Sequence, residues 1–163
     1  MSFHKSASCH IAIVSGGFDP PHIGHTRLFS HARSMSDKLY VIINNDNWLM
    51  KKKGFIFMSE FERVELINEF QSVDFTLLSF HDKNPSHMDV ANELAFIALA
   101  QPENTFIFCN GGDRKVDNVP TAEEKVCAEY GIQMEYNIGG EKLQSSSWLL
   151  EKAGGSCRKV IEL

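Results

Sequence analysis

The sequence predicts a three-layer α/β domain built on a five-stranded parallel sheet. Three observations lead there. Short apolar runs suited to buried strands alternate along the chain with stretches in which apolar residues recur at helical spacing. Two of those runs stop at paired glycines followed by charged residues, Gly16 Gly17 and Gly111 Gly112, as expected at the carboxyl rim of a parallel sheet, where such folds bind ligands. No internal repeat, low-complexity segment or linker interrupts the alternation, so residues 1–163 are expected to form a single domain with right-handed crossovers.

The first strand is expected over residues 9–15 and the first helix over about 23–35, with Leu28, Ala32 and Met35 as its inward stripe. Leu39 to Ile43 reads as the second strand, ending in the polar cluster Asn44 Asn45 Asp46 Asn47. The stretch 48–58 has no helical or strand period and carries Lys51, Lys52 and Lys53 before Gly54, which predicts a mobile surface loop. Ser59 and Glu62 form a capping box that opens a helix to about Phe70, with Phe61, Val64, Ile67 and Phe70 facing inward. A third strand covers 73–79. A helix over 86–100 follows, capped by Ser86, while His81 and His87 read as surface histidines. The fourth strand is 105–109. Thr121 and Glu124 form another capping box for a helix closed by Gly131, and 132–136 is a fifth strand nearer an edge. Ser145, Ser146 and Ser147 then lead into a short helix that Gly154 and Gly155 break.

Composition narrows the function classes. The net charge of −5 argues against a surface that coats nucleic acid, and 43% hydrophobic with 23% charged residues is ordinary for a soluble domain. Cys9, Cys109, Cys127 and Cys157 lie far apart with no C-x-x-C pair, so they suggest neither a zinc site nor a disulfide framework. They read as small apolar residues in a reducing cytoplasm. With no apolar leader and no run long enough to span a membrane, the expected location is cytoplasmic.

The most informative stretch runs from Ala12 to His25. An apolar strand stops at Gly16 Gly17, the rigid corner Asp19 Pro20 Pro21 follows, and His22 and His25 then flank Ile23 Gly24 at the expected start of a helix. The first N–H groups of a helix lack internal partners and its dipole favours anions, so this junction suits phosphate. Residues three apart on a helix are neighbours at about 5–6 Å. Two imidazoles therefore point where a phosphate would sit. A plain strand-to-helix corner with one core and one surface histidine is the competing reading. Arg63 stands in the first turns of its helix, where a cation is unfavourable unless an anion is near. Three consecutive serines exceed what one helix cap needs.

Phe18 Asp19 Pro20 Pro21 His22 Ile23 Gly24 His25 resembles the signature of the HIGH-motif nucleotidyltransferases. The likeness extends over about residues 9–152. Asn45 Asp46, Glu62 Arg63, Val73 Asp74, Gly111 Gly112 Asp113 and the serine run fall in that family's order. The chain resembles the small cytidylyltransferase-like branch, which includes glycerol-3-phosphate cytidylyltransferase and heptose-phosphate adenylyltransferases. The resemblance implies a Rossmann-like fold and attack by an acceptor phosphate on the α-phosphate of a nucleoside triphosphate, with release of pyrophosphate. It implies that Gly16, Gly17 and Phe18, with Asp19, hold the nucleotide phosphates, and that His22 and His25 stabilise charge in the transition state. Lys51 to Lys53, chiefly Lys53, and Arg63 would neutralise the triphosphate or the acceptor. Asp46 and Asp113 would serve the nucleotide, Asp113 by fixing the nucleoside, and Ser145, Ser146 and Ser147 would bind the β- and γ-phosphates.

Magnesium is expected on the phosphates rather than on a protein site, since it keeps its waters and takes few carboxylates. The leading expectation is CTP with a phosphorylated sugar or polyol. The alternatives are ATP with a sugar phosphate or a cofactor precursor such as nicotinamide mononucleotide, and a non-catalytic nucleotide-binding module. No nucleic acid or membrane partner is expected, and relatives of this kind imply a possible homodimer. Two departures bear on the nucleotide. Gly139 Gly140 Glu141 Lys142 stands where cytidylyl-transferring relatives often carry an arginine, and Gln71 Ser72 where some carry a basic residue.

Overall fold

A computed structural model describes residues 8–112 and 114–154. Five strands, β1 (His10–Gly16), β2 (Lys38–Ile43), β3 (Phe75–Leu78), β4 (Thr105–Gly111) and β5 (Gln133–Ile138), form one sheet in the order β3-β2-β1-β4-β5. Every pairing is parallel. The three central strands are the most apolar runs in the chain, as burial on both faces requires. Side chains alternate between those faces. Ile11, Ile13, Tyr40, Ile42, Phe106 and Phe108 pack under α4 (Ala91–Ala100) and α5 (Thr121–Tyr130), whereas Ala12, Val14, Val41, Ile43 and Ile107 meet α1 (Ile23–Ser34) and α3 (Glu60–Asn68). This is the expected three-layer α/β arrangement. Among the described residues no helix is long and apolar enough to cross a membrane.

Because β2 and β3 build outward from one side of β1, and β4 and β5 from the other, the order of winding reverses between β1 and β4. The loops after these two strands diverge and leave a crevice at their carboxyl ends.

Several local expectations need correction. The lysine stretch is a helix, α2 (Asp46–Lys53): Asn45 caps it by accepting from the Trp48 N–H, and Gly54 ends it at φ 77°. Lysines in the last turn suit the negative end of the helix dipole. Helix α4 starts at Ala91, not near Ser86, because the Met88 carbonyl accepts from Trp48 Nε1 and the Val90 N–H donates to Glu123, which takes both groups away from a helical turn. Thr121 makes no cap bond, since α5 begins at Thr121 itself behind Pro120. His81 is buried, held between Ser79 Oγ and the Asp89 carbonyl. Phe61 is 76% exposed, because α3 turns Arg63 inward beside the expected Ile67. The Ser59–Glu62 capping box forms as expected.

Candidate active site

A cavity of about 430 Å³ occupies the crevice between the ends of β1 and β4. Gly16, Gly17, Phe18, His22, His25 and Lys53 line it, as do Ser145, Ser146 and Ser147. The sequence thus marked most of one wall.

The motif from His22 to His25 is a reciprocal helix cap. His22 Nδ1 accepts the Gly24 N–H at 3.1 Å, and His25 Nδ1 accepts the His22 N–H at 3.1 Å. A Cβ on Gly24 would lie 3.0 Å from His22 Cε1, so the intervening residue must be small for the ring to fold back. The two imidazoles stack with centroids 3.7 Å apart, and Phe18 meets His25 edge-on at 4.8 Å.

A backbone donor on each Nδ1 fixes the tautomer, leaving Nε2–H as a donor on both rings. Both rings are held neutral. Burial pushes the His25 imidazole down to about 3, with His22 and Lys53 adding to the effect. His22 is lowered by burial first, then by Lys142 and Lys53. The pair therefore offers neutral N–H donors beside ammonium groups, a set matched to a polyanion whose charge shifts during reaction.

Three expected site residues lie behind the wall. Arg63 is fully buried, and its guanidinium donates to the carbonyls of Met58 (3.0 Å), Gly17 (2.7 Å) and Asn44 (2.6 Å) and to Asp46 Oδ1 (2.7 Å). With Nε and both terminal nitrogens engaged, it ties the ends of β1 and β2 together and does not reach the cavity. Asp46 is its ion-pair partner. Asp19, also fully buried, accepts the N–H groups of Phe57 (2.9 Å) and Met58 (2.6 Å), clipping the segment after α2 to the glycine loop. These are positioning residues. Lys51 turns away to Asn84, while Lys52 and Lys53 face the crevice. Asp113 lies outside the described residues.

Ser145 caps α6 (Ser146–Lys152) by accepting from the Trp148 N–H, and Ser146 Oγ donates to the Pro20 carbonyl, so the serine run also docks this helix onto the His22 corner. Among the described residues no group of three or more His, Cys, Asp or Glu is placed to hold a metal ion. Cys109 lines the cavity, yet burial, with Glu135 adding, pushes its thiol up to about 12, which suits packing rather than nucleophilic attack.

The remaining wall comes from stretches that the sequence placed on the rim, the polar cluster after β2, the end of β4 and the segment at Lys142, although it gave none of the side chains lining this wall but Lys142 a role. Asn44, Asn110 and Arg114 line it, and Lys142 borders the cavity while resting over the Trp148 ring at 5.2 Å. Gly112 marks where two loops close over the end of β4, since a Cβ there would lie 2.6 Å from the Gly140 carbonyl oxygen. The paired glycines of both loops were the available signal. What sequence did not give was the partner that fixes Arg114, Glu123 on the following helix.

A parallel sheet with an anion-suited crevice at its switch point defines a nucleotide-binding α/β protein. More narrowly, residues 13–147 match the cytidylyltransferase-like family model, and the chain belongs to that family. It is 31% identical over 116 residues to the bifunctional protein HldE of Koribacter versatilis, an alignment covering 70% of this chain and 21% of that protein. The chain thus spans about a fifth of that relative's length. Over 66 residues it is 36% identical to the FAD synthase of Methanococcoides burtonii, covering 40% of this chain and 46% of that one. In three dimensions it resembles a candidate nicotinate-nucleotide adenylyltransferase from Vibrio parahaemolyticus with a TM-score of 0.60 at 19% identity, over 90% of this chain and 89% of the other. That likeness is one of fold.

Proposed function

We propose that this chain is a nucleotidyltransferase that moves an adenylyl group from ATP to a small phosphorylated acceptor and releases pyrophosphate. The observation that carries the reaction class is the stacked His22–His25 pair, whose Nδ1 atoms are both occupied by backbone donors, leaving two neutral Nε2–H donors beside Lys53 and Lys142. Support for ATP over the CTP expected from sequence comes from the FAD synthase relative, whose named product is an adenine dinucleotide. Cytidylyl transfer to a sugar or polyol phosphate is the second reading, favoured by the family's description and by the same crevice.

In this reading an acceptor phosphate oxygen forms a bond to the α-phosphorus as the bond to the pyrophosphate oxygen breaks, and the electron pair leaves with pyrophosphate. The glycine loop holds the phosphates. His22 and His25 donate to oxygens that gain charge, and Lys53 and Lys142 offset the triphosphate. Catalysis is then positioning plus electrostatics, with no covalent enzyme intermediate. Magnesium carried on the triphosphate would neutralise part of its charge, with no protein carboxylate cluster needed to hold it.

The test is pyrophosphate release with magnesium and either ATP or CTP, against sugar phosphates, polyol phosphates and nicotinamide mononucleotide. ATP-dependent release supports the proposal, and release with CTP alone transfers it to the second reading. Nucleotide-induced thermal protection without release from any pair would instead indicate a binding module.

A further inference from the structure

The loop that leaves β5 borders the crevice from Gly139 to Ser145 and brings Lys142 to its edge. Its path is set at the start, where Asn137, Gly139 and Gly140 adopt left-handed backbone at φ 57°, 86° and 79°. Glycine and asparagine enter that region most readily. The turn also presses directly on α1, because a Cβ on Gly139 would lie 2.9 Å from both Cα and N of Leu28. Past the turn little holds the chain. Among the described residues, the hydrogen bonds of 140–144 run from the Gly140 N–H to the Asn137 carbonyl at 3.4 Å and from the Ser145 N–H to Gln144 Oε1 at 3.1 Å, and both are local.

Both ends of this loop are tied to one helix. The Gly139 N–H donates to His31 Nδ1 at 2.9 Å, and Ser146 Oγ donates to the Pro20 carbonyl at 2.9 Å. His31 lies in the last turn of α1, and Pro20 stands just before its cap, His22. At about 1.5 Å of rise per residue, His31 and His22 are separated by roughly 13 Å along the helix. Helix α1 is therefore a bar whose first turn presents the stacked imidazoles and whose two ends hold the loop that carries Lys142. His31 itself does not line the cavity, so it reaches the site only through Gly139. An exposed N–H finds water when its partner is removed, so this bond adds little stability. What it supplies is a fixed position.

Resting on the nucleotidyltransferase reading, we propose that His31 is a positioning residue of the triphosphate site, one that fixes Lys142 relative to the His22–His25 pair by accepting the Gly139 N–H. The loop then keeps its ammonium at the cavity edge before nucleotide arrives, and less ordering is left for the binding step. Without the bond the loop swings on Gly139 and Gly140, and Lys142 samples positions away from the phosphates.

Asparagine places Oδ1 where histidine carries Nδ1, whereas leucine keeps bulk and offers no acceptor, so His31→Asn and His31→Leu separate the bond from the packing. In the full chain without nucleotide, NMR-detected amide exchange at Gly139 is about three- to tenfold faster in His31→Leu and close to wild type in His31→Asn. Calorimetric titration with magnesium and α,β-methylene-ATP, which cannot be cleaved at the transferred bond, then reads the site. His31→Leu weakens binding about three- to tenfold, and His31→Asn stays within about twofold of wild type. Because His31 acts through Lys142, its effect disappears once that ammonium is gone. The double variant His31→Leu/Lys142→Met binds within about twofold of Lys142→Met alone.

The proposal is overturned if Gly139 exchanges no faster in His31→Leu, if that variant binds the analogue as wild type does, or if its loss adds in full to that of Lys142→Met. Full additivity would make His31 a cap of the turn and nothing more. If wild type binds neither this analogue nor its CTP counterpart, the nucleotidyltransferase reading itself fails and the proposal falls with it. Binding of the CTP analogue in place of the ATP analogue would reject the adenylyl choice alone, and the same titrations with that analogue would then decide the role of His31.

Discussion

The two layers of charge around the glycine loop behave in opposite ways, although the sequence presents them as one set. Facing the crevice, His22, His25, Lys53 and Lys142 border the cavity, with the two imidazoles held neutral. Beneath the loop, Arg63 pairs with Asp46 and donates to the carbonyls of Gly17 and Asn44, while Asp19 accepts from the N–H groups of Phe57 and Met58, so these bonds join separate segments of the rim. In the proposed function the upper layer binds, whereas the lower layer holds the loop in shape. A cation near an anion site thus need not touch the anion. Here the deeper one holds the carbonyl of Gly17 so that the loop keeps its shape.

The largest effect expected to separate the layers is on stability. Arg63→Ala leaves Asp46 unpaired and three carbonyls without their donor, and removing one partner of such a buried network costs about 3–5 kcal/mol. For a chain of this size the melting temperature should fall by roughly 10 °C or more. A variant that melts normally while losing only substrate affinity would return Arg63 to the binding layer.

His22→Ala tests the upper layer. It removes a donor aimed at developing charge, so kcat should fall roughly a hundredfold. Melting should move far less than in Arg63→Ala. Comparable losses of stability in both variants would erase the distinction between the layers.

How much of this was legible varies with how local the cause is. The strands were readable because a buried parallel strand is a run of apolar residues, and the cavity's first wall because its glycines and histidines fall in one short stretch and its serines in one consecutive run. Helix α2 was missed because it buries only Leu49 and so lacks an apolar stripe, and what defines it is the pair of caps, Asn45 and Gly54. The inward turn of Arg63 depends on carbonyls from residues 17, 44 and 58, which sequence does not bring together. Arg114 gains its meaning from Glu123 on the next helix and from Val90 beyond it.

Acidity sharpens the comparison further. The folded His25 value of about 3 lies below the ordinary 6.5, so between these limits the unfolded chain binds a proton that the folded chain does not. Its contribution to stability is complete above about 6.5 and is lost as pH falls towards about 3. Between pH 6.5 and 5 the loss should approach about 2 kcal/mol, and urea titrations of wild type and His25→Gln at both values would expose it as a difference in slope. The rate should show no limb near 6.5 from this residue. A protonation of His25 seen at that pH by NMR would mean that its Nδ1 is not engaged by the His22 N–H.

The smallest effect concerns Lys142, the departure from the arginine that cytidylyl-transferring relatives often carry. Its ammonium rests over Trp148 at the cavity edge, where solvent and salt screen it, so it acts as a point charge rather than a fork. Lys142→Met should weaken triphosphate binding by about three- to tenfold at low salt, and the difference should shrink as ionic strength rises past about 0.15 M. Because Lys142 also helps to lower His22, the variant should raise the His22 pKa, and NMR titration of the ring would show it. A loss of affinity insensitive to salt would indicate that Lys142 is desolvated against the phosphates and belongs beside His22 and His25 in the upper layer.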